Sequence, residues 1–143
     1  MTAVFGNGID LSFEAGSNMN SYQYHWVGSM GATAAVVGQV YIVGGGSNPG
    51  PLGVAQNDPK SGGELKVRMV GSTQLVVNGA ASTIHFGRML TCASDSHGEC
   101  FNYTGVGTGS ALVAHAIALG YTETDGAIIE AFVMPWSLMG SGS

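Results

Sequence analysis

Charge is scarce in this chain. Lys and Arg together supply 4 of 143 residues, Asp and Glu 9, and charged residues make up 9% against about 25% in an average soluble domain. With four cations and a formal net charge of −5, no basic patch can form, so a nucleic-acid partner is not expected. No apolar run approaches the ~20 residues of a membrane-spanning helix, so no membrane partner is expected either. The first residues, "MTAVFGNGIDLSF", carry no basic start and no signal-like apolar stretch, and a cleaved leader is not expected. Two cysteines are too few for a disulfide framework.

Glycine and apolar residues are abundant: Gly fills 24 positions and hydrophobic residues 45%. So apolar and charge-poor a chain must leave apolar area on its outer surface. Copies of itself or a partner are expected to cover it. The length suits one domain with its own core.

Short β-rich segments recur between Gly, Asn, Pro and Asp clusters. They are "YQYHWVGSM", "AAVVGQVYIV", "ELKVRMVGSTQLVV", "STIHFGRMLTCA", "ECFNYTG" and "GAIIEAFVMPW". In the third, Leu65, Val67 and Met69 alternate with Lys66 and Arg68, which predicts one apolar and one polar face. "GSALVAHAIALGY" has helix-forming composition but only ten residues between its two glycines, and is read as a strand. The expectation is an all-β, compact single domain, a sandwich or barrel, over residues 22–136. Residues 1–21 are an extended N-terminal arm or an edge segment, and residues 137–143 a flexible tail. Phe5, Ile9 and Phe13 in the arm and Trp136 near the end are candidate apolar anchors for a subunit or partner interface.

Each possible chemical site has a plainer reading. "CASDSHGEC" places Cys92, Asp95, His97, Glu99 and Cys100 within nine residues. Its C-x4-H-x2-C spacing lacks the second ligand pair of a structural zinc site, and "SDSHG" is turn chemistry. A hairpin with Cys92 and Cys100 facing each other as thiols is the expected arrangement. His25, His85 and His115 are dispersed and read as core or interface residues. The "GGGSNPGPLG" cluster lacks the Lys-Ser/Thr of a phosphate loop. Asp58, Lys60 and Glu64 stand on an Asn-Asp-Pro turn followed by Gly62-Gly63, where solvated charges are poor acid–base groups. No catalytic residue, metal or cofactor is expected. Tyr22, Tyr24 and Trp26 could stack on sugar faces, so a carbohydrate- or receptor-binding domain is the alternative from another class.

The segment "GVAQNDPKSGGELKVRMVGSTQLVVNGAASTIHFGRMLT" resembles one found in the capsid cement, or head decoration, proteins of tailed bacteriophages. The match runs through Gly53, Val54, Gln56, Asn57, Pro59, Gly63, Val67, Gly71, Val76 and Gly87. In the last strands it runs through Ala116, Ala118, Gly126, Ile128, Ile129 and Val133. The resemblance spans about residues 36–135. "GGGSNPGP" and "CASDSHGEC" depart from the pattern, and the N-terminal region has no counterpart in it. The resemblance implies a β-barrel or β-tulip-like domain, commonly a homotrimer, with no enzyme activity. It implies a place on the outer surface of the virion head and a major capsid protein partner, whose subunit contacts it stabilises.

Overall fold

The computed structural model describes residues 8–29, 37–43, 51–78, 83–92, 98–102 and 113–138. The described residues contain strands and no helix. In chain order these are β1 (Gly8–Ala15), β2 (Trp26–Gly28), β3 (Gln39–Ile42), β4 (Gly53–Ala55), β5 (Glu64–Val76), β6 (Met89–Cys92), β7 (Cys100–Asn102), β8 (Val113–Ala118) and β9 (Ile128–Leu138). The chain is an all-β single domain. "GSALVAHAIALGY" contributes strand β8. Of the first twenty-one residues, Gly8–Ala15 lie in the sheet as β1, and Phe5 falls outside the described residues.

All strands join one sheet, in the order β1-β3-β2-β4-β5-β9-β8-β6-β7, and β1 also pairs with β5. That extra pairing closes β1, β3, β2, β4 and β5 into a ring. On the other side, β5 continues into β9, β8, β6 and β7, and a parallel bridge from Val77 to Cys100 brings β7 back beside the end of β5. The thirteen-residue β5 therefore belongs to two lobes. Its first half pairs with β1 and β4, and its second half, Gly71 to Val76, pairs with β9.

Each lobe has its own core. Ala15, Met19, Val27, Val40, Ala55, Leu65 and Val67 fill the first, with Phe13, Ile42 and Met69 packed against them. Trp26, Val54, Leu75, Leu90, Cys100, Ala116, Ala118, Ile129, Ala131 and Val133 build the second, with Val43, Val77 and Ile84. The two cores lie on opposite faces of β5, and the pairing register shows how. Asp10 pairs with Arg68 but Ile9 with Val70, so Met69 is an extra residue on β5. A bulge of this kind shifts the period-two alternation by one. Before it, Leu65 and Val67 face the first core; after it, Leu75 faces the second. Neighbouring strands carry the same division. Val54 and Trp26, in register with Arg68 through β4, face the second core, whereas Ala55 and Val27 face the first.

Two sequence expectations change here. "YQYHWVGSM" is a strand only from Trp26 to Gly28; the residues before it form turns, with Ser21 and Tyr24 at φ of 73° and 65°. Arg68 does not share a solvent face with Lys66 in the expected way. It is buried, with 9% of its surface exposed, because its side of the strand is covered as β5 passes into the second lobe.

Candidate functional site

The charged turn is a fastening device. Asn57 grips the start of β5 with its whole side chain: its Nδ2 donates to the Glu64 carbonyl (3.0 Å), and its Oδ1 accepts from the Lys66 amide (2.9 Å). The turn is also tied to the end of β1. The Ala15 amide donates to the Gly63 carbonyl (2.9 Å), and the Gly62 amide donates to the Ala15 carbonyl (2.8 Å). Asp58, Lys60 and Glu64 are exposed, and Glu64 accepts a hydrogen bond from Ser12 Oγ at 2.7 Å. Such solvated groups, spread along a turn, are not arranged around a common reacting point.

The other candidate chemistry is equally dispersed. Among the described residues no group of three His, Cys, Asp or Glu side chains could hold a metal ion. Asp95 and His97 lie outside the described residues. Cys92 and Cys100 are directly opposed on β6 and β7, both as thiols. Burial pushes the Cys92 thiol up to about 12 from its ordinary 9.0. Cys100 is raised further, chiefly by burial and then by the nearness of Cys92. Both are protonated at neutral pH and so are poor nucleophiles.

Trp26 is enclosed in the second core at 1% exposure, so it offers no ring face to a sugar. His115 meets it edge-on, with ring centroids 5.7 Å apart. Burial lowers the His115 pKa to about 4, so its imidazole is neutral at pH 7. His25 is also buried; its Nδ1–H donates to the Gln23 carbonyl at 3.0 Å, and Tyr22 packs against its ring.

What the structure does bring together is an apolar face. The face of β5 that lines the first core passes, beyond the bulge, to the outside of the second lobe. Ser72 and Val76 remain buried there, but other side chains on that face are half-exposed or exposed. Leu11 and Ile9 of β1 follow Phe13 on the same side, yet they are 48% and 59% exposed where Phe13 is half-buried. Ile9 is opposite Val70, and two residues further along β5 Ser72 is opposite Phe132 of β9, which is 41% exposed. Phe132 then pairs with Ile117 of β8, and Ile117 with Met89 of β6. Ala116, Ala118, Ala131 and Val133, alternating with these residues, point into the core. The result is an apolar row, Leu11, Ile9, Val70, Phe132, Ile117 and Met89, crossing five strands of one face. Ile128, 54% exposed, stands on the same side of β9, with Glu130 between it and Phe132.

Of the anchors expected from the sequence, Ile9 lies in this row. Phe13 mainly supports the first core. Trp136 belongs to β9, but its side chain lies outside the described residues. Phe132, Ile117 and Met89 were missed. The apolar alternation of "AIIEAFVM" contains the signal, but which of its faces is outward depends on how β5 divides the lobes.

No family model matches this chain, and no curated protein does. Among solved structures, the chain is similar to the N base of head fiber gp8.5 of bacteriophage phi29. The TM-score is 0.56 at 15% identity, covering 92% of this chain and 98% of that one. At this identity the likeness establishes a shared fold, and it extends over both lobes.

Proposed function

We propose that the protein is a non-enzymatic structural component of a phage virion, a decoration or cement protein seated on the outside of the head. One observation carries the reading: the whole two-lobed fold is shared with a protein of a phage head fiber. The resemblance of the Gly53–Thr91 segment to cement proteins, made on different grounds, points the same way. In this reading the apolar face supplies the contact. Leu11, Ile9, Phe132 and Ile117 would bury their side chains against a neighbouring subunit, either a copy of the chain in a homotrimer or the major capsid protein. Burial contributes about 25 cal/mol per Å² of apolar area before the costs of association. Repetition on a lattice strengthens a modest single contact through avidity.

Adding purified protein to phage heads stripped of it, then measuring bound copies by sedimentation and mass spectrometry, tests the reading. Saturable binding at a fixed ratio to coat subunits, with heads that resist heat-induced DNA release better, is the expected result. Failure to bind heads, with the protein folded, would overturn it.

A further inference from the structure

Cys92 and Cys100 are the chain's two cysteines, and strand pairing places them directly opposite each other where β6 meets β7. Opposed residues on antiparallel strands have Cα atoms about 4.5–5.5 Å apart, inside the ~4.4–6.8 Å that disulfides span. Side chains of an opposed pair project from the same face, so the two sulfurs point the same way. Here that face is the second core, in which Cys100 is fully buried and against which Cys92 packs. Cys92 is the more exposed of the two and is the last residue of β6.

We propose that Cys92 and Cys100 form a redox-sensitive cross-strand pair, a modification site at which a low-molecular-weight disulfide oxidises the two thiols to one intramolecular disulfide and locks the β6–β7 hairpin. The Cys92 thiolate attacks one sulfur of the reagent, expels the other half as a thiolate and leaves a mixed disulfide. The Cys100 thiolate then attacks the Cys92 sulfur and expels the second half. The protein loses two electrons and two protons, and the reagent departs as two thiols.

What the bond would hold explains why it matters. β7 is three residues long and terminal in the strand order, so few ladder bonds retain it. It also carries the Val77–Cys100 bridge, with the Asn78 amide donating to the Cys100 carbonyl at 2.9 Å, that brings the second lobe back to β5. A covalent tie at Cys100 fastens that closure. In a reducing cytosol the pair stays as thiols, and in an oxidising medium the bond persists.

The full-length protein, equilibrated in glutathione disulfide and then denatured and treated with N-ethylmaleimide, decides the matter by intact mass. The expected product has lost the mass of two hydrogens, takes up no maleimide, and melts higher by on the order of 5–10 °C, reversibly on adding dithiothreitol. Two alkylated cysteines, a persistent glutathione adduct, or a disulfide-linked dimer would each overturn the pair. A disulfide that forms but does not raise the melting temperature would overturn the lock. The Cys92→Ser protein should show no mass loss, and a melting temperature indifferent to the oxidant.

Discussion

Asp10 and Arg68 are joined by a two-pronged ion pair at the step where β5 slips register against β1. Arg68 Nε donates to Asp10 Oδ1, Nη2 donates to Oδ2 at 3.1 Å, and Nη1 donates to the Ser72 carbonyl. Asp10 thus neutralises the buried guanidinium and, chiefly through this hydrogen bond, raises its pKa. The carbonyl contact runs from one side of the bulge to the other. Arg68 therefore spans the change of face that creates both lobes, and most of its donors have acceptors.

Removing the carboxylate leaves that cation without its counter-charge. Asp10→Asn should destabilise the protein by about 1–3 kcal/mol, at the low side of a fully buried pair because Asp10 is 36% exposed. Urea unfolding should show a lower midpoint at an unchanged slope. Arg68→Met should be milder than Asp10→Asn, since an apolar side chain of similar length strands no charge. The reverse ranking would show that the charge is not what holds the step.

Gly71 ends the bulged region at φ 117°, opposite Gly8 on β1 and Val133 on β9. A side chain there meets a backbone conformation that L-residues rarely adopt, so Gly71→Ala should cost about 1–3 kcal/mol. Gly53 answers to space instead. A Cβ would lie 2.4 Å from the Arg68 carbonyl oxygen and 2.7 Å from Val67 Cγ1, so Gly53→Ala must push β4 off β5. Thermal melts should place both variants well below the wild type, with Gly120→Ala, whose Cβ would meet nothing nearer than 3.4 Å and whose φ is not in the left-handed region, closer to it.

These positions show how far the sequence could be read. Alternation in "ELKVRMV", the turn chemistry of Asn57 to Gly63 and the small-residue strand "AHAIA" were enough for an all-β domain with strands near the observed places. The reversal of faces at Met69 was not legible. A bulge is specified by the strands on either side, and Leu65, Val67 and Met69 read as one continuous apolar face when β5 is viewed alone. From that single step follow the burial of Arg68 and the outward turn of Phe132. Of the apolar row only Ile9 was among the expected anchors, because the row's members come from five strands.

His115 makes the second lobe sensitive to acid. Its pKa falls from 6.5 to about 4 in the folded protein through burial. The unfolded chain therefore binds a proton more readily between those values. Stability contributed by the neutral imidazole is present above about pH 6.5 and is lost as pH falls towards 4. Since the ring is only partly buried, the effect should be about 1–2 kcal/mol after solvent screening. Denaturant titrations across pH 4–7 should show this slope in the wild type and a flatter one in His115→Gln. Equal slopes would exclude His115 as its source.

The thiols act in the opposite direction. With Cys92 raised to about 12, the folded protein keeps a proton that the unfolded chain releases near pH 9. The contribution is whole below pH 9 and disappears as pH rises towards 12. The same protonation limits oxidation by glutathione disulfide, because the thiolate is the attacking species. Its rate should climb about tenfold per pH unit from pH 7 to 10, without the levelling near pH 9 that an ordinary thiol shows. Stopped-time alkylation followed by mass measurement reads this directly. A plateau near pH 9 would mean that Cys92 reacts from an open, solvated hairpin.

The apolar row can be tested without disturbing either core, since its side chains alternate with those that fill the second lobe. Ile9→Lys and Phe132→Lys each replace an exposed apolar group with a cation, so each should change the melting temperature by little. If the row is the contact surface, either variant should lower head occupancy by about tenfold or more, because a charge in a desolvated interface leaves an unpaired group. The double variant should abolish binding. Phe86→Lys, at an exposed residue outside the row, is the matched control and should bind as the wild type does. Size-exclusion with light scattering on the same proteins then separates the two occupants of the face. A wild-type trimer that dissociates in Ile9→Lys places the row between copies of the chain; an unchanged oligomer with lost head binding places it against the capsid.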